Sequence, residues 1–212
     1  MEERLKLTKA STAVKVAATL YWSIISSLRY LVHTRLDIAF AVGYVSRFKE
    51  DPREDHWAMV KRLLCYVKGT MDQGIIFPKT GGSRLQLIMF SDADMAGDID
   101  GRRSTSTVLV FLGLAPISWL SLKQKVVALS MCAAEYKAAA TVPAIALVKN
   151  PVLHDQSKHI DVKFHFLRDY VDGGQIIIEF VETGWQLMDV LTKPLGRLRL
   201  TELKEIIGME GV

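Results

Sequence analysis

The spacing of apolar residues changes near Gly69, and this change constrains the fold of the chain more than any other feature. Before Gly69 apolar side chains recur every three or four residues, as in an amphipathic helix. This stripe begins with Leu20, Ile24, Ile25, Leu28 and Val32. After Gly69 the apolar residues alternate or form short runs, which is typical of strands. The sequence therefore predicts a helical segment over residues 1–72 and an α/β domain over residues 73–212.

Two further helices are predicted before the change in spacing. Asp37 lies where it can cap a second helix. The buried face of that helix is expected to carry Ile38, Ala41, Val42 and Val45. Asp51, followed by Pro52 and Glu54, has the spacing of a capping box and predicts a third helix, with Gly69 as its stop.

The rest of the chain predicts strands and helices in mixed order. A largely buried strand ends at Asp92, Thr107–Leu112 forms a second strand, and residues 117–127 contain a third. Turns at Gly101 and at residues 113–116 make these three strands an antiparallel meander. The later elements are expected to be helices over 131–140 and 157–171, a strand over 175–181, and closing helices within 185–207 that are broken near Pro194 and Gly196.

Composition restricts the class of protein. Half of the 212 residues are hydrophobic and 24% are charged, which excludes a mostly disordered chain and suffices for a core. The net charge of +4 is compatible with a phosphate-bearing partner. The cysteines, Cys65 and Cys132, match no metal-ligand spacing. The amino terminus lacks the apolar run of a signal peptide, and no stretch is long enough to span a membrane, so we expect a soluble intracellular protein.

Acidic residues are the candidates for chemistry. Four aspartates follow the first predicted strand of the α/β domain, and carboxylates are the ligands that Mg²⁺ prefers. They are Asp92, Asp94, Asp98 and Asp100. The alternative is a polar turn in which these aspartates cap backbone groups. Glu135 on an alanine-rich helix and Asp189 after the last predicted strand complete the set, although each by itself is typical of an exposed polar position.

Nine short strings, together with the order of these acids, resemble the copia-type retrotransposon polyprotein. They occur in the order of that family from about residue 20 onward. The strings are YLVHTR (30–35), KRLL (61–64), YVKGT (66–70), SDAD (91–94), RSTS (103–106), ISW (117–119), AEY (134–136), KHID (158–161) and DVLTKPL (189–195). Met95 and Ala133 depart from the family pattern, where tryptophan and glutamate are usual.

The resemblance implies that residues 1–70 correspond to the segment after the reverse transcriptase core, whose paired aspartates we expect to be absent here. Residues from about 85 onward resemble the ribonuclease H domain, which hydrolyses the RNA strand of an RNA–DNA hybrid. That domain holds two Mg²⁺ ions with four carboxylates. The family pattern places three of them, for catalysis and metal binding, at Asp92, Glu135 and Asp189. Contacts to nucleic acid are expected from Arg102, Arg103, Lys158 and His159.

The fourth carboxylate of the family ends a strand that follows the glutamate helix, and this strand has no counterpart here. The interval from Glu135 to Asn150 contains no aspartate and is too short for the rest of a helix, a loop and a strand. The prediction is an α/β, ribonuclease-H-like mixed sheet that lacks its central fourth strand and is preceded by a helical segment. We also expect marginal stability in the second half, because the lost strand leaves sheet edges exposed.

Three functions remain open at the level of sequence. The favoured hypothesis is a degenerate ribonuclease-H-like remnant that has lost hydrolysis, holds Mg²⁺ poorly and binds nucleic acid weakly. The second is an active magnesium-dependent ribonuclease for RNA–DNA hybrids. The third is a non-catalytic interaction domain recruited by a host.

Overall fold

A computed structural model describes residues 7–78, 86–140, 171, 177, 179, 181 and 186–211. In these residues the chain is mixed α/β. The helices are α1 (Ala18–Leu31), α2 (Ala39–Val45), α3 (Glu54–Lys68), α4 (Met131–Ala139), α5 (Asp189–Thr192) and α6 (Arg197–Ile207). The strands are β1 (Gln73–Ile75), β2 (Leu87–Ala93), β3 (Thr105–Leu112), β4 (Ala115–Lys123) and β5 (Met209–Gly211). No helix in the described part of the chain has the length and hydrophobicity to cross a membrane.

The three helices predicted from apolar spacing are confirmed, and their apolar faces form one core. The buried side chains of this core include Tyr21, Ile25, Leu28, Val42, Val45, Val60 and Leu63. The hydroxyl of Tyr21 donates to the backbone oxygen of Val45 (2.8 Å), so the polar end of this buried ring is satisfied. Burial of the three stripes against each other explains why the helical spacing predicted them well.

The predicted cap at Asp37 is wrong. This aspartate lies in a 3₁₀ turn before α2, and no side chain caps that helix. The carboxylate of Asp37 accepts hydrogen bonds from the guanidinium of Arg35 at 2.9 and 2.8 Å and from the hydroxyl of Tyr66 at 2.6 Å. Because its carboxylate is engaged in this buried ion pair, Asp37 does not cap the free backbone N–H groups of α2.

The predicted capping box from Asp51 to Glu54 is also wrong. Helix α3 begins at Glu54 with Arg53 as its N-cap, and the backbone N–H of Arg53 donates to Nδ1 of His56 (3.1 Å). His56 therefore accepts the hydrogen bond from the N-cap N–H that the capping-box pattern assigned to Glu54. Asp51 instead forms ion pairs with Lys15 (3.1 Å) and Arg53 (2.6 Å), which draw its side chain away from the helix.

Strands β2, β3 and β4 form the predicted antiparallel meander in the order β2-β3-β4. Asp92 lies opposite Thr107 near the end of β2. The β3–β4 register shifts between Val110 and Phe111, close to Pro116 on β4. A proline has no N–H to donate to the ladder, so an irregularity is expected at this point.

The closing helices were predicted, whereas a second small sheet was not. Helix α6 ends at Gly208, whose left-handed φ of 83° turns the chain into β5. Strand β5 pairs antiparallel with β1. Of the strand predicted over 175–181, the structure describes Ile177, Glu179 and Val181, and none of these three lies in a strand. Most of the helix predicted over 157–171 lies outside the described residues.

The helical segment and the sheet share a second core that crosses the predicted boundary at residues 72 and 73. Its buried members are Leu36, Ala39, Leu109, Phe111, Met188, Val190, Leu191, Ile207 and Met209. The indole Nε1 of Trp119 on β4 also donates to the backbone oxygen of Val32 (2.8 Å). This shared core positions β2 and α5, which carry Asp92 and Asp189.

Candidate active site

The fold brings Asp92 close to Asp189. Asp92 lies in β2 and Asp189 is the first residue of α5. Burial raises the pKa of Asp92, and the negative charge of Asp189 raises it further. Hydrogen bonds from the backbone of Ala93 and the side chain of Thr192, together with the charge of Lys193, act in the opposite direction. The charge of Asp189 therefore acts on Asp92, so the two side chains lie near each other.

A lysine already compensates the charge of Asp189. The ammonium of Lys193, one helical turn after Asp189, lies 2.8 Å from the Asp189 carboxylate, which is largely buried. An ammonium at this distance offsets the negative charge that would attract Mg²⁺. The sequence analysis missed this pair, although its spacing of four residues is one at which helical side chains meet.

Glu135 is not brought into the same arrangement. Its helix, α4, begins with Ser130, whose hydroxyl accepts the N–H of Ala133 (3.1 Å). The helix packs through the buried Ala134 and Ala138, while Glu135 is exposed. Across the described ranges, no three His, Cys, Asp or Glu side chains are grouped so that they could hold a metal ion. The described residues therefore do not fit a pair of magnesium ions.

The other three aspartates after β2 are occupied by structural contacts. Asp94 accepts the N–H of Thr105 (2.6 Å), and Asp100 accepts from the hydroxyl of Thr8 (2.5 Å). Asp98 is buried and pairs with Arg47 (3.5 Å) and Lys123 (3.2 Å). These contacts favour a polar turn, which joins the loop after β2 to the helical segment.

The basic residues predicted to contact nucleic acid are only partly described. Arg102 and Arg103 are exposed in the loop between β2 and β3. Arg102 adopts a left-handed φ of 51°, and its backbone N–H donates to the backbone oxygen of Asp98 (2.8 Å). This hydrogen bond fixes the backbone of Arg102 in the loop. Lys158 and His159 lie outside the described residues. Binding of nucleic acid by any of the four stays a prediction.

The raised pKa of Asp92 predicts how an Asp92→Asn variant responds to pH. Because the pKa is higher in the folded state, folded protein holds this proton more tightly than unfolded protein does. The free energy of unfolding contributed by Asp92 therefore falls as pH rises from the unfolded value, about 4, through the folded one. Asparagine has no carboxyl group to titrate, so Asp92→Asn does not lose this stability as pH rises. The difference between its Tm and that of the original protein is therefore expected to increase between pH 4 and pH 7.

Thermal unfolding from below pH 4 to pH 7 tests the prediction, and the Tm of Asp92→Asn relative to the original protein is expected to increase with pH. Asp51→Asn is the control of opposite sign. Hydrogen bonds from Arg53 and Lys15 lower the pKa of Asp51, so that variant is expected to lose Tm relative to the original protein as pH rises through the range below about 4, and to change little above it. A gain for Asp92→Asn that does not change with pH would contradict the argument.

Comparisons with known proteins identify the family. No protein-family model matches the chain, and no solved structure matches it. The chain is 38% identical to the retrovirus-related Pol polyprotein from transposon RE2 of Arabidopsis thaliana, an alignment that covers 96% of the chain and 16% of that protein. It is 39% identical to the Pol polyprotein from transposon TNT 1-94 of Nicotiana tabacum, over 89% of the chain and 16% of that protein. The chain belongs to the copia-type retrotransposon Pol polyproteins.

This copia-type chain spans about one sixth of the length of those relatives. A shorter relative, the secreted RxLR effector protein 161 of Plasmopara viticola, is 44% identical over 56% of the chain and 82% of that protein. The alignment with the Pol polyprotein from transposon RE1 of Arabidopsis thaliana extends over 236 positions. The copia-type chain has 212 residues, so at least 24 of those positions have no counterpart in it.

Proposed function

We propose that this chain is a degenerate remnant of a copia-type Pol polyprotein, with a ribonuclease-H-like fold that no longer hydrolyses RNA in RNA–DNA hybrids. The observation that carries the proposal is the state of the three family carboxylates. Asp92 and Asp189 are coupled, but Lys193 neutralises Asp189 and Glu135 is exposed on a separate helix.

The order of elements supports the ribonuclease-H-like part of the proposal. An antiparallel meander with an aspartate on its first strand is followed by a helix that carries a glutamate. The alignment with the RE1 relative leaves room for a lost strand, because at least 24 of its positions have no counterpart in the chain, more than an ordinary strand and its turn contain. A strand of this kind supplies the fourth carboxylate in the family pattern.

The loss of hydrolysis follows from the charge of the site. A two-metal mechanism uses two cations, held by several carboxylates, to activate water and to stabilise the leaving oxygen. With Lys193 against Asp189, the two coupled carboxylates retain roughly one net negative charge, too little to hold two divalent ions. Among the residues that the structure describes, no third carboxylate joins this pair. We therefore expect weaker charge stabilisation of the leaving oxygen and a barrier to hydrolysis that is higher by several kcal/mol.

A cleavage assay on a labelled RNA–DNA hybrid tests the proposal, first with Mg²⁺ and then with Mn²⁺, comparing the original protein with Asp92→Asn. We expect both proteins to give the same background in both metals. Cleavage by the original protein that disappears in Asp92→Asn would establish an active ribonuclease and overturn the proposal. Replacing Lys193 by glutamine in parallel separates the effect of that lysine from the effect of the lost strand.

Weak binding of hybrids is the second part of the proposal, with Arg102, Arg103, Lys158 and His159 as phosphate contacts. Binding through such contacts weakens as salt concentration rises, because each neutralised phosphate releases counterions. We expect retention of an intact hybrid at low salt, and a smaller salt dependence in an Arg102→Gln, Arg103→Gln double variant. Equal retention of the double variant and the original protein at every salt concentration would contradict this assignment.

A further inference from the structure

Lys204 is a buried lysine at the point where α6 and β5 meet the helical segment. It lies on α6, and only 6% of the residue is exposed. Its side-chain nitrogen donates to the hydroxyl oxygen of Tyr66 on α3 (3.2 Å) and contacts Oε1 of Gln73 on β1. Strand β1 in turn pairs with β5. The contacts of this one side chain therefore help to attach both α6 and β5.

The charges around Lys204 are unbalanced. In the part of the chain that the structure describes, Lys204 forms no ion pair, and Arg35 binds both oxygens of the buried Asp37 carboxylate. The guanidinium of Arg35 lies 5.9 Å from the centroid of the Tyr66 ring, and the side-chain nitrogen of Lys204 lies 5.6 Å from it. Two cations and one carboxylate are thus buried around a single ring when Lys204 is protonated.

The hydrogen bonds of Lys204 do not require its charge. A protonated lysine carries three N–H donors, and a neutral amine keeps two of them. The structure describes two acceptors for Lys204, the side-chain oxygens of Tyr66 and Gln73. The neutral amine can donate to both. Loss of the proton therefore removes a buried charge without breaking either contact.

The groups that face Lys204 act on its pKa in both directions. Burial lowers this pKa, the charge of Asp37 raises it, the charge of Arg35 lowers it, and the exposed Asp72 raises it. The pKa of Lys204 is lowered as a whole because Asp37 is already bound by Arg35 and Asp72 is hydrated. Tyr66 stays neutral, because burial and the charge of Asp37 raise the pKa of its hydroxyl.

We propose that Lys204 is a proton-dependent switch in the attachment of α6 and β5, which tightens when the amine loses its proton and loosens when the amine regains it. The geometry favours this role because the site supplies two oxygen acceptors, as a neutral amine needs, and a second cation, Arg35, at the same ring. The switch does not depend on whether the protein hydrolyses RNA.

The direction of the pH dependence follows from linkage. Folded protein gives up this proton more readily than unfolded protein, in which lysine has a pKa of about 10.4. The free energy of unfolding contributed by Lys204 therefore rises as pH rises through the folded pKa, and the rise ends at about pH 10.4. Tyr21 and Tyr66 have raised pKa values and act in the opposite sense only above about pH 10. The switch is therefore measured between about pH 7 and about pH 9.5.

Thermal unfolding of the original protein, Lys204→Met and Lys125→Met over this pH range tests the proposal. Lys125 is exposed in the loop before α4 and is the matched control. We expect the Tm of the original protein to increase with pH relative to Lys204→Met and to stay constant relative to Lys125→Met. Amide exchange of Ile76, whose N–H donates to the backbone oxygen of Gly208 (2.9 Å), is expected to slow over the same range after correction for the intrinsic exchange rate.

An NMR titration of the lysine side-chain carbons keeps the proposal testable if Lys204→Met does not fold. We expect one lysine of the original protein to titrate at lower pH than the others, and its signal to be absent from Lys204→Arg, in which the side chain stays charged. All lysines titrating together would overturn the proposal. A difference in Tm between the original protein and Lys204→Met that is constant or falls with rising pH would also overturn it.

Discussion

Arg35→Ala is expected to lower the free energy of unfolding by about 3–5 kcal/mol, the range for removing one partner of a buried ion pair. The side chain of Asp37 is 0% exposed, and the guanidinium of Arg35 binds both of its oxygens. Without Arg35, the Asp37 carboxylate keeps the hydrogen bond from the hydroxyl of Tyr66, which carries no compensating charge. The loss of stability is large because the Asp37 carboxylate would be buried without a compensating charge, whereas the charges of an exposed pair remain hydrated.

The effect is expected to extend beyond Asp37 because Arg35 joins distant parts of the chain. The guanidinium also donates to the backbone oxygen (2.8 Å) and the hydroxyl (2.7 Å) of Thr70, after α3. Tyr66 accepts a hydrogen bond from Lys204 on α6 (3.2 Å), and Lys204 also contacts Gln73 on β1. Burial and the charge of Asp37 raise the pKa of Tyr66, so its hydroxyl stays protonated and continues to donate.

Unfolding in urea measures this change. Lys9→Ala removes the exposed pair with Glu50 and is expected to cost less than about 1 kcal/mol. The double variant Arg35→Met, Asp37→Leu removes both charges of the pair and is expected to recover part of the loss, because the Asp37 carboxylate is then no longer left buried without its guanidinium. If Arg35→Ala cost no more than Lys9→Ala, the network would not stabilise the fold as described.

Leu109→Ala is expected to cost about 2–5 kcal/mol and to destabilise the helical segment and the sheet together. Leu109 lies on β3 with a fully buried side chain. It belongs to the core that also contains Leu36 and Ala39 from before residue 72. Because this core crosses the predicted boundary, the cavity left by the smaller side chain removes contacts on both sides of it.

Two probes of urea unfolding separate cooperative loss from local loss. Far-UV circular dichroism follows the helices, and the fluorescence of Trp119 follows the sheet once Trp22, Trp57 and Trp185 are replaced by phenylalanine. Coincident transitions that shift together in Leu109→Ala are expected. Leu87→Ala, at an exposed position of β2, is the control and is expected to have a small effect. Two transitions, with only the sheet affected by Leu109→Ala, would contradict a shared core.

Local patterns predicted the elements of the fold better than their contacts. Apolar spacing is a property of each segment, so α1 to α4 and the β2–β4 meander followed from it. The partners of Asp37 and Asp51 did not follow, because a capping pattern carries no information about a guanidinium that competes for the same carboxylate. Strands β1 and β5 were missed for a similar reason, since each has three residues and the two lie far apart in the sequence.

The residues of the candidate site show the same difference between local sequence patterns and contacts over long sequence separations. The resemblance selected Asp92, Glu135 and Asp189. The structure places Asp92 near Asp189 and leaves Glu135 exposed, and the catalytic and metal-binding roles of the three stay predictions. The pair between Asp98 and Arg47 joins residues far apart in sequence, and no local spacing predicts it.

A magnesium titration of thermal stability tests whether Asp92 and Asp189 still bind Mg²⁺, because a ligand that binds only the folded state raises Tm with its concentration. The original protein, Asp92→Asn and Asp189→Asn are compared in Mg²⁺ and in sodium chloride of equal ionic strength. We predict that Mg²⁺ changes the Tm of all three proteins no more than sodium chloride does. A rise of several degrees that is specific to Mg²⁺, present in the original protein and lost in both variants, would contradict the account.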